Sequence, residues 1–219
     1  NMLIGLPLLY SYFTALRSNQ LPADNDELLR HRGSGLAARF AGYRGSSAPN
    51  RNGLPLIYDA CWDFGLQLVG SAWRFEYLVG LTQGTLSDPR TDGTDNNDGK
   101  QLVGRLAFVP RVGVLLGASF ARGPYLDQGI EAEVTATGAN LEDFDQRIYG
   151  FDVEYGVRHL RVIAELAVNR WEALTRNAGS VDLESLSWYL EASYKLRPGL
   201  TAAVRYGHLD FGKIASAAG

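Results

Sequence analysis

Residues 101–122 read QLVGRLAFVPRVGVLLGASFAR. Two runs, each with apolar side chains at alternate positions, are joined by little more than Pro110 and Arg111. In the first arm Leu102, Leu106 and Phe108 stand against Gln101 and Arg105. In the second, Val114, Leu116, Ala118 and Phe120 stand against Gly113, Gly117 and Ser119. A period of two separates the faces of a β-strand, whereas a helix would repeat near 3.6. The stretch predicts a hairpin with one apolar face and a tight turn.

The alternation recurs along the chain. Upstream, Trp62, Phe64, Leu66 and Leu68 oppose Asp63, Gly65 and Gln67, and Phe75, Tyr77, Val79 and Leu81 oppose Arg74, Glu76, Leu78 and Gly80. Downstream, Tyr149, Phe151, Val153 and Tyr155 oppose Asp152 and Glu154, and Leu160, Val162, Ala164, Leu166 and Val168 oppose Arg161 and Glu165. Further on, Leu186, Trp188, Leu190, Ala192 and Tyr194 oppose Tyr189, Glu191, Ser193 and Lys195. Last, Leu200, Ala202, Val204 and Tyr206 oppose Thr201, Ala203 and Arg205. Eight strands result, and their connections alternate in length. Tight turns fall near Ser71, Arg111, Arg158 and Pro198, while residues 84–99, 123–145 and 172–182 are long polar segments. The pattern is an up-and-down meander of hairpins 58–84, 99–123, 145–172 and 183–212, with its long loops at one end.

A soluble sandwich or barrel shows the same alternation with its apolar face turned inward. Three features favour the inverse. Strands of about 10–13 residues exceed those of ordinary soluble sheets and suit a tilted membrane crossing. The polar faces carry Gly, Ser and charges of both signs, which suits a hydrated lumen. Aromatic residues such as Tyr149 with Tyr155, and Trp188 with Tyr194, sit toward both ends of the apolar faces, like an interfacial girdle. Lipid cannot hydrogen-bond a backbone, so a spanning sheet must close on itself. The expected fold class is therefore all-β: an antiparallel up-and-down transmembrane β-barrel with short periplasmic turns and long extracellular loops.

The totals are consistent with that class. The chain has 219 residues, 46% of them apolar, with formal net charge −3, which gives no electrostatic reason to expect nucleic acid as a partner. No run of about 18 apolar residues is present to cross a membrane as a helix. Cys61 is the single cysteine, so there is neither a disulfide framework nor a cysteine metal cluster. Residues 1–57 do not alternate cleanly and read as a long loop, a constriction or a plug folded into the lumen, with a short helix near 24–32 capped by Asp24 or Asn25. Residues 213–219 read as loop.

The segments NMLIGLPLLYSYFTALRSNQLPADNDELL (1–29), DPRTDGTDNNDGKQLVGRLAFVPRVGVLLGASFARG (88–123) and RPGLTAAVRYGHLDF (197–211) resemble large porin-like outer-membrane proteins of environmental Gram-negative bacteria. The likeness runs over essentially the whole chain, and its motifs are architectural. It implies a place in the bacterial outer membrane and an interior portion of a longer barrel, with further strands before and after. In that group the sequence closes on an aromatic residue, whereas here it stops at KIASAAG (213–219).

With the polar faces turned to a lumen, the pore-lining candidates are Arg74, Glu76, Arg105, Asp152, Glu154, Arg161, Glu165, Glu191, Lys195 and Arg205. Five acids and five bases predict weak ion selectivity, and pairs such as Arg161 with Glu154 or Asp152 also hold the wall together. Asp92, Asp95 and Asp98 offer hard oxygen ligands, but their spacing is not that of an EF-hand loop, so a solvated acidic loop is the expectation and no metal site is assigned. His31, His159 and His208 lie in a loop, a tight turn and near a strand end. His208 and Asp210 share a face, but no nucleophile can be assigned to them.

The sequence thus predicts a channel for small hydrophilic solutes or ions, with no catalytic residue, metal or cofactor. Its partners are membrane lipid and lipopolysaccharide, with a homo-oligomer left open. A plugged structural or interaction barrel is the alternative, and an outer-membrane hydrolase the third.

Overall fold

The computed structural model describes residues 2–5, 63–84, 97–126, 128, 131–174 and 180–211. Nine strands form one antiparallel sheet in the order of the chain. They are β1 (Met2–Gly5), β2 (Gly65–Ala72), β3 (Phe75–Thr82), β4 (Gln101–Arg111), β5 (Val114–Pro124), β6 (Asp145–Val157), β7 (Leu160–Leu174), β8 (Ser180–Arg197) and β9 (Leu200–Phe211). Strands β2 to β9 are the eight that the alternation predicts. Strand β1, paired to β2 from Met2 opposite Gly70 to Gly5 opposite Gln67, falls inside the segment read as loop. The rest of 1–57, with its helix near 24–32 and His31, lies outside the described residues, as do Cys61, Trp62, Asp92, Asp95 and 213–219.

Four two-residue turns join β2–β3, β4–β5, β6–β7 and β8–β9. Left-handed backbone closes each of them, at Trp73 (φ 55°), Gly113 (φ 83°), Arg158 (φ 52°) and Gly199 (φ 82°). The first turn comes at Trp73–Arg74 rather than at Ser71, because Gly70, Ser71 and Ala72 continue the ladder opposite Tyr77, Glu76 and Phe75. Register shifts sit just before the second and fourth turns, at Phe108/Arg111 and Lys195/Arg197.

The described part of the long segment between β5 and β6 packs on the end of the sheet. A one-turn helix, α1 (Glu131–Thr135), and a 3-10 turn (Leu141–Asp143) bury Tyr125, Leu126, Val134, Leu141 and Phe144 at that end of the sheet. The Asn97 amide donates to the carbonyls of Pro124 and Leu126, and the Tyr125 hydroxyl donates to the Glu172 carbonyl, tying the segment to β7 and to the approach to β4.

The two faces of the sheet are inverted relative to an ordinary β-protein. Apolar side chains are the exposed ones: Leu66, Val79, Leu81, Leu106, Phe151, Leu190, Val204 and Tyr206 all stand out from the surface, Val204 at 69% of its full area. On the opposite face, which carries the charges, the part of β4 to β8 toward the long loops is buried: Gln101, Ser119, Gln146, Asp152, Glu165, Asn169, Ser185 and Ser187 are covered, whereas Glu76, Lys195 and Arg205 are exposed. On β8 the apolar stripe runs from Leu186 to Leu196, about 33 Å along the strand, or about 25 Å in height at a 40° tilt.

The expected barrel is not closed among the described residues. Strands β1 and β9 form the two edges of the sheet and do not pair with each other. A seam between them would ask a four-residue strand to cover a twelve-residue edge.

Candidate functional site

A row of polar groups crosses the buried face from β4 to β9. The cross-strand register places it: Arg105 opposite Ser119, Gly117 opposite Asp152, Asp152 opposite Glu165, Glu165 opposite Tyr189, and Glu191 opposite Arg205. Because side chains at this face recur every second residue, one member per strand suffices to build the row.

Its centre is a bidentate ion pair that skips a strand. The Arg105 guanidinium donates to Asp152 Oδ1 at 2.5 Å and to Oδ2 at 2.8 Å, and also to Ser119 Oγ at 2.8 Å. Strand β5 lies between the partners, and Gly117 is what lets them meet. A Cβ built there would overlap both Asp152 Oδ1 and an Arg105 nitrogen. The fork geometry of arginine matches a carboxylate in this way, whereas a lysine could not occupy both oxygens.

The remaining candidates divide by position. Arg161 donates to Glu154 at 2.9 Å, the pairing the sequence allows. Arg205 lies 3.9 Å from the Glu191 carboxylate and 4.0 Å above the Tyr189 ring, combining an ion pair with a cation–π contact. Glu165 is 3% exposed between Asp152 and Tyr189. Arg74, Glu76 and Lys195 sit apart, exposed at the tight-turn end. Arg74 belongs to the first turn itself, where its guanidinium covers the Trp73 ring at 5.1 Å and donates to the Pro110 carbonyl. Near it a cavity of about 340 Å³ is lined by Ser71, Glu76, Leu78, Arg105 and Ala107.

No protein-family model, curated protein or solved structure matches the chain. Chemistry is therefore read from the arrangement of its own residues. His159 lies in the third tight turn, with the edge of its ring against Tyr194. His208 is on the apolar face beside Trp188, with ring centroids 6.1 Å apart, and so faces away from the charged row. Among the described residues no three His, Cys, Asp or Glu side chains converge as a metal site would require.

Some contributors escape a reading of single residues. Ser119 and Gly117 complete the central pair, yet each looks like a filler on a polar face. Tyr189 reads as a girdle residue by type, but its place in the alternation puts it on the polar face, where it is buried beneath Arg205. At the long-loop end, Gln101 donates to Thr82 and to the Gly84 carbonyl, and Gln146 to Asn169. Asp63 there accepts from the backbone of Phe64 and Gly84. Burial pushes the Tyr125 hydroxyl above its ordinary range, and the Glu172 carboxylate adds to the shift.

The exposed face changes character at the same end. Arg122 pairs with Asp145 at 2.6 Å, Arg147 with Asp145 at 3.6 Å and Glu172 at 2.5 Å, and Arg170 with Glu184 at 2.7 Å. Three cations and three carboxylates thus end the apolar stripe in a mutually neutralised belt.

Proposed function

We propose that this sheet is the wall of a transmembrane β-barrel in the bacterial outer membrane, and that the protein is a porin-like channel for passive diffusion of small hydrophilic solutes or ions. The observation that carries the reading is the inversion of the two faces. Phe151, Leu190, Val204 and Tyr206 are exposed while Asp152 and Glu165 are buried. A contiguous apolar face of this extent marks contact with a membrane or a partner. The height of the stripe on β8 equals the lipid-facing band of such barrels, about 25 Å. In lipid no sheet edge can stay open, so this reading requires β1 and β9 to meet further strands.

The charged row then faces the lumen. Its described pairs, Arg105 with Asp152, Arg161 with Glu154 and Arg205 with Glu191, cancel locally, so the wall imposes little preference for either sign of ion. Conductance in a planar bilayer under a salt gradient tests the reading. Stepwise ohmic openings with a small reversal potential are expected. A second reading, a filled barrel with a structural or binding role, is favoured by the depth of burial on the polar face. Glu165 and Tyr189 are only 3% and 2% exposed. Protein shown to be inserted but electrically silent would decide for that second reading.

A further inference from the structure

The two ends of the apolar face carry different charge. At the long-loop end, acids and bases neutralise one another in the belt just described. At the tight-turn end, every turn brings an arginine and none brings a carboxylate: Trp73–Arg74, Arg111–Val112–Gly113, Arg158–His159 and Arg197–Pro198–Gly199. Lys195 and Glu76, one cation and one carboxylate exposed at the same end, lie on the charged face of the sheet. All four arginines are exposed, and Arg111, Arg158 and Arg197 form no ion pair among the described residues.

These turns form one continuous rim. Arg74 binds the Pro110 carbonyl and so links the first turn to the second. The amide of Gly156 donates to Gly113 at 2.6 Å, and that of Lys195 to His159 at 2.9 Å, linking the second to the third and the third to the fourth. Successive arginines therefore lie about 10 Å apart, two strand spacings. Apolar groups stand among them at the height where hydrocarbon would give way to headgroups. Trp73 is 80% exposed and Val112 98%, and Phe75 stacks on Phe108 with ring centroids 4.8 Å apart. Exposed arginines beside exposed tryptophan and valine are the composition of a surface that sits in a lipid interface rather than in bulk water.

We infer that this rim binds the anionic phospholipid headgroups of the leaflet bordering the tight turns, phosphatidylglycerol being the simplest example. The inference rests on the membrane reading above. Charge complementarity carries it: a cation near an anionic bilayer favours association about fivefold per residue, and a guanidinium takes two phosphate oxygens at once. The belt at the other end, already neutralised by its own carboxylates, has no such surplus among the described residues.

The test uses the protein reconstituted in phosphatidylcholine vesicles, with trace spin-labelled phosphatidylglycerol or phosphatidylcholine. The electron spin resonance spectrum separates lipid held at the protein surface from free lipid. The expected result is an association constant at least twofold higher for phosphatidylglycerol, once averaged over all boundary sites. The preference should fall to about one in 1 M salt, where the Debye length is about 3 Å. Arg111→Gln, Arg158→Gln and Arg197→Gln together should remove most of it, whereas Arg122→Gln, Arg147→Gln and Arg170→Gln together should leave it. Equal restriction of both lipids at low salt overturns the inference and leaves the membrane reading intact. No restricted component for either lipid overturns the membrane reading itself. If a triple variant does not fold, the salt dependence of the parent protein decides the same question.

Discussion

Placing a methyl group on Gly117 should unseat the ion pair at the centre of the buried face. The glycine lies on β5, directly between Arg105 on β4 and Asp152 on β6, and a Cβ there overlaps both reacting ends of the bridge. The Asp152 side chain is 2% exposed and that of Arg105 13%, so neither group can recover its hydrogen bonds from bulk water without leaving its place. Breaking a buried pair costs about 3–5 kcal/mol when one charge is stranded, and hydrogen bonds to charged groups are worth about 1.5–3 kcal/mol. Both partners survive in Gly117→Ala and keep part of their contact, so the expected loss is about 2–3 kcal/mol. Gly156→Ala is the control. It faces the same way, on the neighbouring strand, and its added Cβ meets nothing nearer than 3.9 Å, so its effect should stay within about 0.5 kcal/mol. The assay is urea unfolding in lipid vesicles, followed by tryptophan fluorescence, with the free energy extrapolated to zero denaturant. In an Asp152→Ala background the methyl group enters vacated space and should add no more than about 0.5 kcal/mol. A harmless Gly117→Ala, or equal losses at Gly117 and Gly156, would refute the assignment of Gly117 as the gap through which the pair forms.

Other expectations rest on single features. Phe151→Arg puts a charge midway along the exposed apolar stripe of β6 and should destabilise the vesicle-inserted protein by about 2–4 kcal/mol, measured by the same unfolding assay. Tyr125→Phe removes the hydrogen bond to Glu172, worth about 1 kcal/mol at pH 7. The Tyr125 hydroxyl is held above its ordinary value of about 10 in the folded state, so its stabilisation is complete below that pH and is lost as pH rises past it. The gap between parent and variant should therefore close as pH rises above 10, at up to about 1.4 kcal/mol per pH unit, and vanish or reverse by pH 11 in urea titrations. Arg158 occupies left-handed backbone with a full side chain (φ 52°), and Arg158→Asn should stabilise the protein by about 0.5–1 kcal/mol in zwitterionic vesicles.

Much of the fold was legible in the sequence because its physics is local. Alternation is a property of successive residues, and it alone sets Phe151 and Asp152, or Leu190 and Tyr189, on opposite faces. Turn positions were legible to within two residues, since Gly113 and Gly199 announce left-handed backbone. Trp73 and Arg158 adopt the same conformation with nothing in their chemistry to signal it. Strand β1 could not be read, because four residues are too few to display a period. Within the charged row, the Arg161–Glu154 pair was accessible from the hairpin they share, with only a tight turn between them. The Arg105–Asp152 bridge was not, since its partners are 47 residues apart and meet across an intervening strand. Register across β4, β5 and β6 decides that contact, and register depends on turn geometry and bulges that composition does not encode. The burial of Tyr125, Leu126, Val134, Leu141 and Phe144 at the sheet end escaped for a similar reason, because a few apolar residues in a polar segment do not reveal what they pack against.

The most direct measurement asks which face of the sheet meets hydrocarbon. Trp188 lies on the apolar face, whereas Trp171 is 4% exposed on the polar one. Variants retaining only one of these tryptophans would be reconstituted in vesicles of lipids brominated along their acyl chains. If lipid covers the apolar face, Trp188 fluorescence is strongly quenched and Trp171 fluorescence is nearly unchanged. Equal quenching of the two, or none of Trp188 in protein recovered with the vesicles, would contradict a lipid-facing wall.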